Sequence, residues 1–278
     1  MTVDLDAYFE RIGYTGPRRP TLETLQSLHL QHTQTIPFEN LDPLSGRPVR
    51  LDPASLERKL IHERRGGYCF EHNLLFSNVL QQLGFTATGL AARVVYNAPE
   101  GVIRPRGHML LRVDLSDGPH IADVGFGGLT LTGPLRLAAD VVQSTPHEPF
   151  RIVVPAERER QSPGPEFMLQ VQIRDTWSTL YRFDLQPQLA IDYESPNWYL
   201  STYPESRFVT NLLCARPLPG KRFALADNRL TIHHLNGGSE HQILASTAEI
   251  RDALRTKFGV HLLTDPALDA AIDRLFHQ

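Results

Sequence analysis

The sequence predicts an α+β protein in which helices come first, antiparallel β strands follow, and a mixed α/β segment closes the chain. Up to residue 85, apolar residues recur at the three- and four-residue spacing of amphipathic helices. After Phe85, short strand-like runs succeed one another without long helices between them, which favours an antiparallel sheet or barrel. The 278 residues are many for one compact unit. We therefore expect three parts, 1–85, 86–190 and 191–278, packed without a flexible linker.

Three helices are expected in the first part. The first has Thr21 as its N-cap and ends before Pro37, because the residue preceding a proline disfavours helix. The second starts at Asp52–Pro53, with proline at the first helical position, and is stopped by Gly66–Gly67. The third begins near Cys69 and stops at Gly84.

The second and third parts are expected to be mostly strands. Ser116–Pro119 has the residues of a turn joining two of them. A short helical connection is expected at Ile191–Tyr203, and closing helices at Ala248–Phe258 and Pro266–Phe276. The expected strands are Leu90–Tyr96, His108–Leu115, His120–Val124, Phe150–Val154, Phe167–Arg174, Thr179–Asp184, Phe208–Ala215, Arg222–Ala226, Arg229–His233 and His241–Leu244.

Composition narrows the class of protein. A net charge of -3 with scattered arginines gives no large basic surface, so nucleic-acid binding is not expected. No run approaches the roughly 18 apolar residues that cross a bilayer, and the acidic first ten residues lack the features of a signal peptide. Two cysteines, Cys69 and Cys214, are too few for a disulfide scaffold. We expect a cytoplasmic protein with reduced thiols and no membrane partner.

The stretch Arg65–Asn73 carries the strongest chemical signal. Two glycines bend the chain just before a helix, and Cys69 falls in the first turn of that helix. The positive end of the helix dipole favours a thiolate there, and free backbone N–H groups could hold an oxyanion. The alternative is that Cys69 is a small buried apolar residue, as most free cysteines are. Cys214 lies in an apolar run without a glycine turn, and for it the buried role is favoured.

A base and an orienting acid for this thiol can be placed on two strands. His108 opens one expected strand and Asp123 ends the next, and the turn at Ser116–Pro119 could lay the two side by side. Asp123 would then hold the His108 imidazole beside Cys69. Spacing alone also allows a simpler interpretation, in which His108 is an ordinary strand residue and Asp123 a turn cap.

Two other kinds of site receive less support. The run Gly125–Gly128 could let a phosphate approach the backbone, but it matches neither a dinucleotide fingerprint nor a P-loop. A ligand-free glycine turn explains it equally. The adjacent pairs His62–Glu63, Glu71–His72 and His233–His234 lack a full metal-ligand set, so no metal is expected.

Taken together, these residues resemble the arylamine N-acetyltransferase family, prokaryotic type. The order and separation of Cys69, His108 and Asp123 fit the family's catalytic triad, and the likeness spans nearly the whole chain. The matching motifs are Ile36–Asp42, Arg65–Glu71, Gly107–His108 and Ala122–Gly127.

The resemblance implies a particular fold. It consists of an N-terminal helical bundle with the nucleophile, a central antiparallel β-barrel with the histidine and aspartate, and a C-terminal α/β lid around a cysteine-protease-like Cys-His-Asp core.

The resemblance also implies a reaction. Acetyl-CoA, as co-substrate and not bound cofactor, acetylates Cys69, and an arylamine or arylhydrazine then takes the acetyl group in a ping-pong mechanism. O-acetylation of N-hydroxyarylamines is a further implied reaction, and handling of xenobiotic amines a family-level expectation.

Further site roles follow from position within the matching motifs. Phe38 and Phe126 would wall an aromatic acceptor pocket. The amides of Gly125, Gly127 and Gly128 would contact the CoA pyrophosphate. Glu39 and Arg65 would form an ion pair that supports the nucleophile turn.

Other functions stay open at this point. An amide synthase or another acyl-CoA transferase could share the fold. A papain- or transglutaminase-like amide hydrolase uses the same three residue types, and a catalytically silent binding protein could retain them. The sequence also leaves open a homodimer.

Overall fold

The computed structural model describes residues 2–99, 101–161, 164–262 and 264–277. A π-helix spans Glu57–His62, and 3₁₀ turns span Glu157–Glu159, Ala190–Tyr193 and Arg274–Phe276. The α-helices are α1 (Leu5–Ile12), α2 (Leu22–Thr35), α3 (Leu41–Leu44), α4 (Pro53–Leu56), α5 (Cys69–Gln82), α6 (Glu194–Thr202), α7 (Arg207–Thr210), α8 (Thr247–Thr256) and α9 (Pro266–Asp273). The strands are β1 (Phe38–Glu39), β2 (Thr86–Val94), β3 (His108–Leu115), β4 (Gly118–Ala122), β5 (Leu135–Arg136), β6 (Val142–Gln143), β7 (Phe150–Val153), β8 (Phe167–Ile173), β9 (Thr176–Phe183), β10 (Leu213–Leu218), β11 (Lys221–Ala226), β12 (Arg229–His234) and β13 (Ser239–Ile243).

The N-terminal helices begin where capping residues predict. The Thr21 hydroxyl accepts a hydrogen bond from the Thr24 N–H, and α2 ends at Thr35, before Pro37. The third expected helix is α5, which starts at Cys69. Gly84 follows it with a φ of 87°, a left-handed conformation that favours glycine. These three predictions are confirmed, whereas α1 was not anticipated.

The helix expected from Asp52 onward is wrong in its second half. A regular α-helix persists only over α4, and the chain then widens into the π-helix. The Glu63 N–H donates to the Arg58 carbonyl, five residues back, at 2.8 Å. The wider turn brings the Lys59 ammonium to 2.6 Å from Asp42 and 2.7 Å from Glu71. Those distant partners are the physical reason why local periodicity does not predict it.

Eight antiparallel strands form the middle of the molecule, in the order β5-β4-β3-β2-β9-β8-β7-β6. The side-chain amide of Gln143 on β6 joins the two edge strands. It accepts from the Arg136 N–H at 2.8 Å and donates to the Arg136 carbonyl at 2.9 Å. This link between the edges nearly closes the sheet, and the predicted antiparallel barrel is confirmed.

The barrel has an apolar interior and an apolar outer face. Its interior holds alternate residues of the strands, including Leu90, Leu110 and Leu180. The opposite face of β3 presents Met109, Leu111 and Val113 to α5 in the core of the helical part. Strand β3 therefore belongs to both cores, since its side chains alternate between the two faces. This contact positions the barrel against the start of α5.

A second antiparallel sheet makes up most of the C-terminal part, in the order β1-β10-β11-β12-β13. Helices α8 and α9 pack on it around Leu225, Ile250 and Phe258, which completes the α/β lid. The short edge strand β1 comes from the N-terminal part and pairs Phe38 with Ala215. The division of the chain at residues 85 and 190 stays a prediction.

Several predicted strands differ from those observed. The strand expected at Leu90–Tyr96 runs earlier, over β2, because its residues from Thr86 to Ala92 pair with β3; the chain turns at Asn97, whose φ is 56°. The strand expected at His120–Val124 is β4, so Asp123 follows the strand and does not belong to it. The strand expected at Phe208–Ala215 is wrong in its first half, which forms α7. The Ser206 hydroxyl caps that turn by accepting from the Phe208 N–H.

The remaining strands and the closing helices lie within a few residues of their predicted positions. Within the described ranges, no helix combines the length and apolar character needed to cross a membrane.

Candidate active site

Cys69 is the first residue of α5 and is only 4% exposed. The turn before it requires glycine, because a Cβ on Gly66 would lie 2.0 Å from the Pro37 carbonyl oxygen. A Cβ on Gly67 would lie 2.6 Å from a carboxylate oxygen of Glu71. That carboxylate accepts from the Tyr68 N–H at 3.0 Å and so caps the helix start. Close backbone packing therefore fixes the position of the thiol.

A buried network of charges supports this turn from behind. Arg65 donates to Glu39 at 2.9 Å and to Asp42 at 3.1 Å, so the ion pair predicted between Glu39 and Arg65 is present. Lys59 bridges Asp42 and Glu71. Burial raises the pKa of Glu71 to about 7, against the opposing charge of Lys59. Burial acts in the same direction on Asp42, but the surrounding cations bring its pKa down to about 2.

His108 and Asp123 meet at the end of adjacent strands. Nε2 of His108 and Oδ2 of Asp123 are 2.7 Å apart, with side chains 3% and 0% exposed. The other carboxylate oxygen, Oδ1, accepts from Asn73 Nδ2 at 3.0 Å and from the Gly125 N–H at 2.9 Å. The sequence prediction that these two side chains lie together is thus realised in the structure.

The electrostatics of this pair favour a charged imidazole. Burial alone would lower the pKa of His108, but the Asp123 charge, its hydrogen bond and the Cys69 side chain raise it to about 10. Burial alone would raise the pKa of Asp123, but His108, Asn73 and Gly125 hold it below its usual value. Cys69 is a hydrogen-bonding neighbour of the ring. Its Sγ also lies 3.8 Å from the Gly107 carbonyl oxygen.

Asn73 ties the nucleophile helix to both strands, and the sequence analysis gave it no role. One turn after Cys69, its Nδ2 donates to the Met109 carbonyl at 2.8 Å as well as to Asp123. Its Oδ1 accepts from the Val124 N–H at 3.1 Å. Its place within the motif around Cys69 was the one available signal. Because all these bonds are buried, Asn73 locks the three elements in register.

The glycine run packs directly on the nucleophile. A Cβ on Gly125 would lie 2.8 Å from Cys69 Cα, so only glycine fits. The Gly125 N–H is committed to Asp123, and the Phe126 N–H donates to Thr130 Oγ1 at 3.3 Å. Gly127, with a φ of 92°, and Gly128 have no hydrogen-bond acceptor for their N–H groups within the described part of the chain.

Aromatic rings pack against the imidazole and next to the nucleophile turn. The Phe126 and His108 rings meet edge to face with centroids 5.3 Å apart, and Phe38 packs 6.3 Å from Phe208. The Tyr181 ring lies 5.0 Å from His108. Phe38 and Phe126 are both half-buried at this place, as an apolar pocket wall requires. Phe208 and Tyr181 were missed, because no sequence signal links their distant strands and helices to residue 69.

Two other sequence features lie outside this arrangement. Cys214 is 2% exposed in the lid sheet opposite Glu39, and burial raises the pKa of its thiol, which fits the buried role. Within the described residues, no three His, Cys, Asp or Glu side chains are grouped as a metal site would need. In the described part of the chain, a thiol, an imidazole and a carboxylate come together around His108, which suits acyl transfer through a thioester.

Comparison with known proteins identifies the family. A sequence model described as N-acetyltransferase matches residues 21–266. The arylamine N-acetyltransferase of Mycobacterium tuberculosis is 46% identical over 282 aligned positions, covering 99% of this chain and 96% of the relative. The chain belongs to the arylamine N-acetyltransferase family. It is therefore an enzyme of the transferase class.

Two further members of the arylamine N-acetyltransferase family extend the comparison. A Salmonella typhimurium protein named arylamine N-acetyltransferase / N-hydroxyarylamine O-acetyltransferase is 40% identical to this chain. The alignment covers 94% of this chain and 90% of the Salmonella protein. The solved structure of the Mycobacterium marinum arylamine N-acetyltransferase in complex with CoA has a TM-score of 0.91 and 39% identity. It covers 98% of this chain and 99% of that one. The helical, barrel and lid arrangement is thus that of the family.

Proposed function

We propose that this protein acetylates arylamines and arylhydrazines from acetyl-CoA by a ping-pong mechanism through an acetyl-Cys69 intermediate, and also O-acetylates N-hydroxyarylamines. The observation that supports this proposal most is that Cys69, His108 and Asp123 are buried together at the start of α5. Family membership and the CoA complex of the M. marinum relative support the choice of donor. Asp123 orients His108 and keeps it positively charged, and His108 in turn stabilises the thiolate of Cys69.

In the first half-reaction, the Cys69 thiolate attacks the thioester carbonyl carbon of acetyl-CoA and forms an S–C bond. The tetrahedral intermediate collapses with loss of the CoA thiolate, which takes the proton that His108 carried. In the second half-reaction, the amine nitrogen attacks acetyl-Cys69 while neutral His108 accepts the nitrogen's proton. The amide leaves, and the thiolate–imidazolium pair is restored.

Substrate contacts follow from what surrounds Cys69. Phe38 and Phe126 offer flat apolar faces to an aromatic acceptor, and Phe208 extends the same wall. Within the glycine run, the N–H groups proposed to contact the CoA pyrophosphate are those of Gly127 and Gly128. The Gly125 N–H is excluded because it already donates to Asp123. A Cβ at Gly128 would meet nothing within 4 Å, so the backbone there is open to a ligand.

Steady-state kinetics test this function. With acetyl-CoA and an aminobenzoate or isoniazid varied together, we expect parallel lines in double-reciprocal plots, as two half-reactions separated by CoA release require. Intersecting lines would instead indicate direct transfer within a ternary complex. Turnover of glutamine or peptide amides without CoA would favour the hydrolase alternative, and turnover only with longer acyl-CoA donors would favour another transferase of this fold.

The cytoplasmic location and the homodimer stay predictions.

A further inference from the structure

Three arginines from distant parts of the sequence meet behind the nucleophile turn. Arg11 lies on α1, Arg64 just before the turn, and Arg216 on β10. The Arg11 Nε donates to the Leu60 carbonyl at 3.0 Å, in the π-helix that leads to Arg64. The Arg216 Nε donates to the Gln34 carbonyl at 2.6 Å, at the end of α2. We call Arg11, Arg64 and Arg216 the arginine patch.

The segment after α8 connects two members of the patch. The His261 N–H donates to the Arg64 carbonyl at 3.2 Å. Two residues earlier, a Cβ on Gly259 would lie 2.6 Å from Arg216 Nη1. One short loop therefore touches the backbone of Arg64 and the side chain of Arg216.

No carboxylate neutralises the patch within the described residues. The ion pairs found there involve neither Arg11, Arg64 nor Arg216. Nη2 of Arg11 is buried without a hydrogen-bond partner, which is costly for a guanidinium. Burial, together with the positive charges of Arg64 and Arg216, lowers the pKa of Arg11 to about 10. The patch thus holds three like charges that repel one another.

We propose that the arginine patch is a binding site for a small phosphate-class oxyanion. Such an anion would neutralise the mutual repulsion, and its oxygens suit the planar fork of N–H donors on a guanidinium. Arg64 is exposed, so the anion reaches the patch from solvent there, while Arg11 and Arg216 lie half-buried beneath it. The small size of the site and the net charge of -3 favour a single oxyanion over a nucleic acid.

Phosphate titrations of matched glycine variants test this site. Arg64 has a φ of 51°, and Arg174 at the β8–β9 turn has a φ of 55°, so glycine relieves the same backbone strain at both positions. We expect inorganic phosphate to raise the melting temperature of the wild type and Arg174→Gly above that in chloride of equal ionic strength. In Arg64→Gly, the phosphate Kd measured by calorimetry should rise at least about tenfold.

A second pair of variants keeps the proposal falsifiable if glycine alters the turn. Arg64→Glu supplies a fixed carboxylate, so in phosphate-free buffer it should melt above Arg64→Gln and respond little to phosphate. Comparing ADP with inorganic phosphate on the wild type distinguishes a nucleotide from free phosphate as the source, because only a nucleotide site binds ADP more tightly than phosphate. Either ligand should lose affinity in Arg64→Gly. Equal phosphate affinities in Arg64→Gly and Arg174→Gly, or no binding to the wild type, would overturn the proposal.

Discussion

Asp123 controls the charge of His108 from a position sealed off from solvent. Its carboxylate receives one bond from the imidazole and two from other donors, so it stays ionised although fully buried. An ionised carboxylate at 2.7 Å from the ring keeps the imidazolium stable far above its ordinary pKa of about 6.5. The stabilisation from this pair is present below pH 6.5 and is lost as the pH rises toward about 10.

Replacing Asp123 with Asn should therefore slow the reaction of Cys69 with iodoacetamide at pH 7. Without the carboxylate charge, the pKa of His108 falls, the imidazole is neutral at pH 7, and the thiolate loses its partner. We expect a decrease of at least about tenfold. The control is Asp114→Asn, which lies on β3 with His108 but is half-exposed and paired with Arg112. Wild-type reactivity at pH 7 in Asp123→Asn would contradict this electrostatic account.

At the residue scale, the sequence predicted the site residues that stand at the boundary of a secondary-structure element. Cys69 follows a double glycine, and His108 starts a strand. Asn73, Tyr181 and Phe208 were not predicted, because their roles depend on contacts across the fold. Asn73, for example, bonds to residues 36 and 50 positions away. Such pairings are not encoded in any local pattern.

At the scale of elements, two close approaches fix α5. The double-glycine turn brings its backbone against Pro37, and a buried chain of hydrogen bonds holds its first turns. Tyr8 bonds His32 Nδ1 at 2.9 Å, His32 Nε2 bonds His72 Nδ1 at 2.9 Å, and His72 Nε2 bonds the Pro37 carbonyl at 3.1 Å. Since that carbonyl can only accept, each neutral ring donates from Nε2 and accepts at Nδ1. The chain of bonds links α1, α2 and α5.

Alanine at Gly66 should disrupt the nucleophile turn. Its Cβ would overlap the Pro37 carbonyl oxygen at 2.0 Å, and backbone on both sides would have to move. We expect about 2 kcal/mol or more of lost stability in urea unfolding, together with slower alkylation of Cys69. Gly133→Ala is the control, because its Cβ would make only an ordinary contact at 3.7 Å. Equal effects of the two substitutions would show that the close approach is unimportant.

The buried histidines should make the protein sensitive to mild acid. Burial lowers the pKa of His29 and of His72 to about 4, and that of His32 also falls below its usual value. Unfolded imidazoles take up protons near pH 6.5, so the unfolding free energy falls as the pH decreases from 6.5 toward 4. The expected slope is about 1.4 kcal/mol per pH unit for each such histidine.

Urea unfolding between pH 7.5 and 5 measures this slope. His72→Gln removes one titrating group and should reduce it, whereas His261→Gln, at an exposed position, should not. A stability that stays flat from pH 7 to 5 would show that the buried imidazoles titrate normally.

The sequence predicted those helices and strands that local chemistry determines. It failed for those that depend on contacts with distant residues. Thr21 predicted the start of α2, and the double glycine predicted the start of α5, because caps and tight turns act within a few residues. Residues 208–212 looked like part of a strand, yet Asn40 donates to the carbonyls of Phe208 and Asn211 and so holds them as a turn. The π-helix likewise depends on distant residues, because Lys59 within it forms ion pairs with Asp42 and Glu71.

At the scale of the whole molecule, one buried ion pair joins lid and barrel. Arg222 on β11 is 2% exposed and donates to both oxygens of Glu148 at 2.7 to 3.0 Å. It also donates to the Gly128 carbonyl at 3.3 Å, so the lid contacts the glycine run beside Cys69. The helix–barrel–lid order was predicted from the family resemblance, but this interface was not, because its partners are 74 residues apart.

Replacing Arg222 with Gln should destabilise the protein by about 3 kcal/mol, since it leaves a partly buried carboxylate without its cation. The control is Arg255→Gln, which breaks an exposed pair with Asp252 and should change stability by no more than about 0.5 kcal/mol. Chemical unfolding of both variants gives the comparison. A small effect at Arg222 would mean that the lid is held mainly by its apolar contacts.

The most direct test of the account is the mass of the protein after incubation with acetyl-CoA in the absence of any amine. We predict one acetyl group, located on Cys69 by peptide mapping, absent from Cys69→Ala and removed when an arylamine is added. Cys214, buried in the lid sheet, should stay unmodified. An unmodified Cys69, or an acetyl group that no amine discharges, would contradict the proposed acyl-enzyme mechanism.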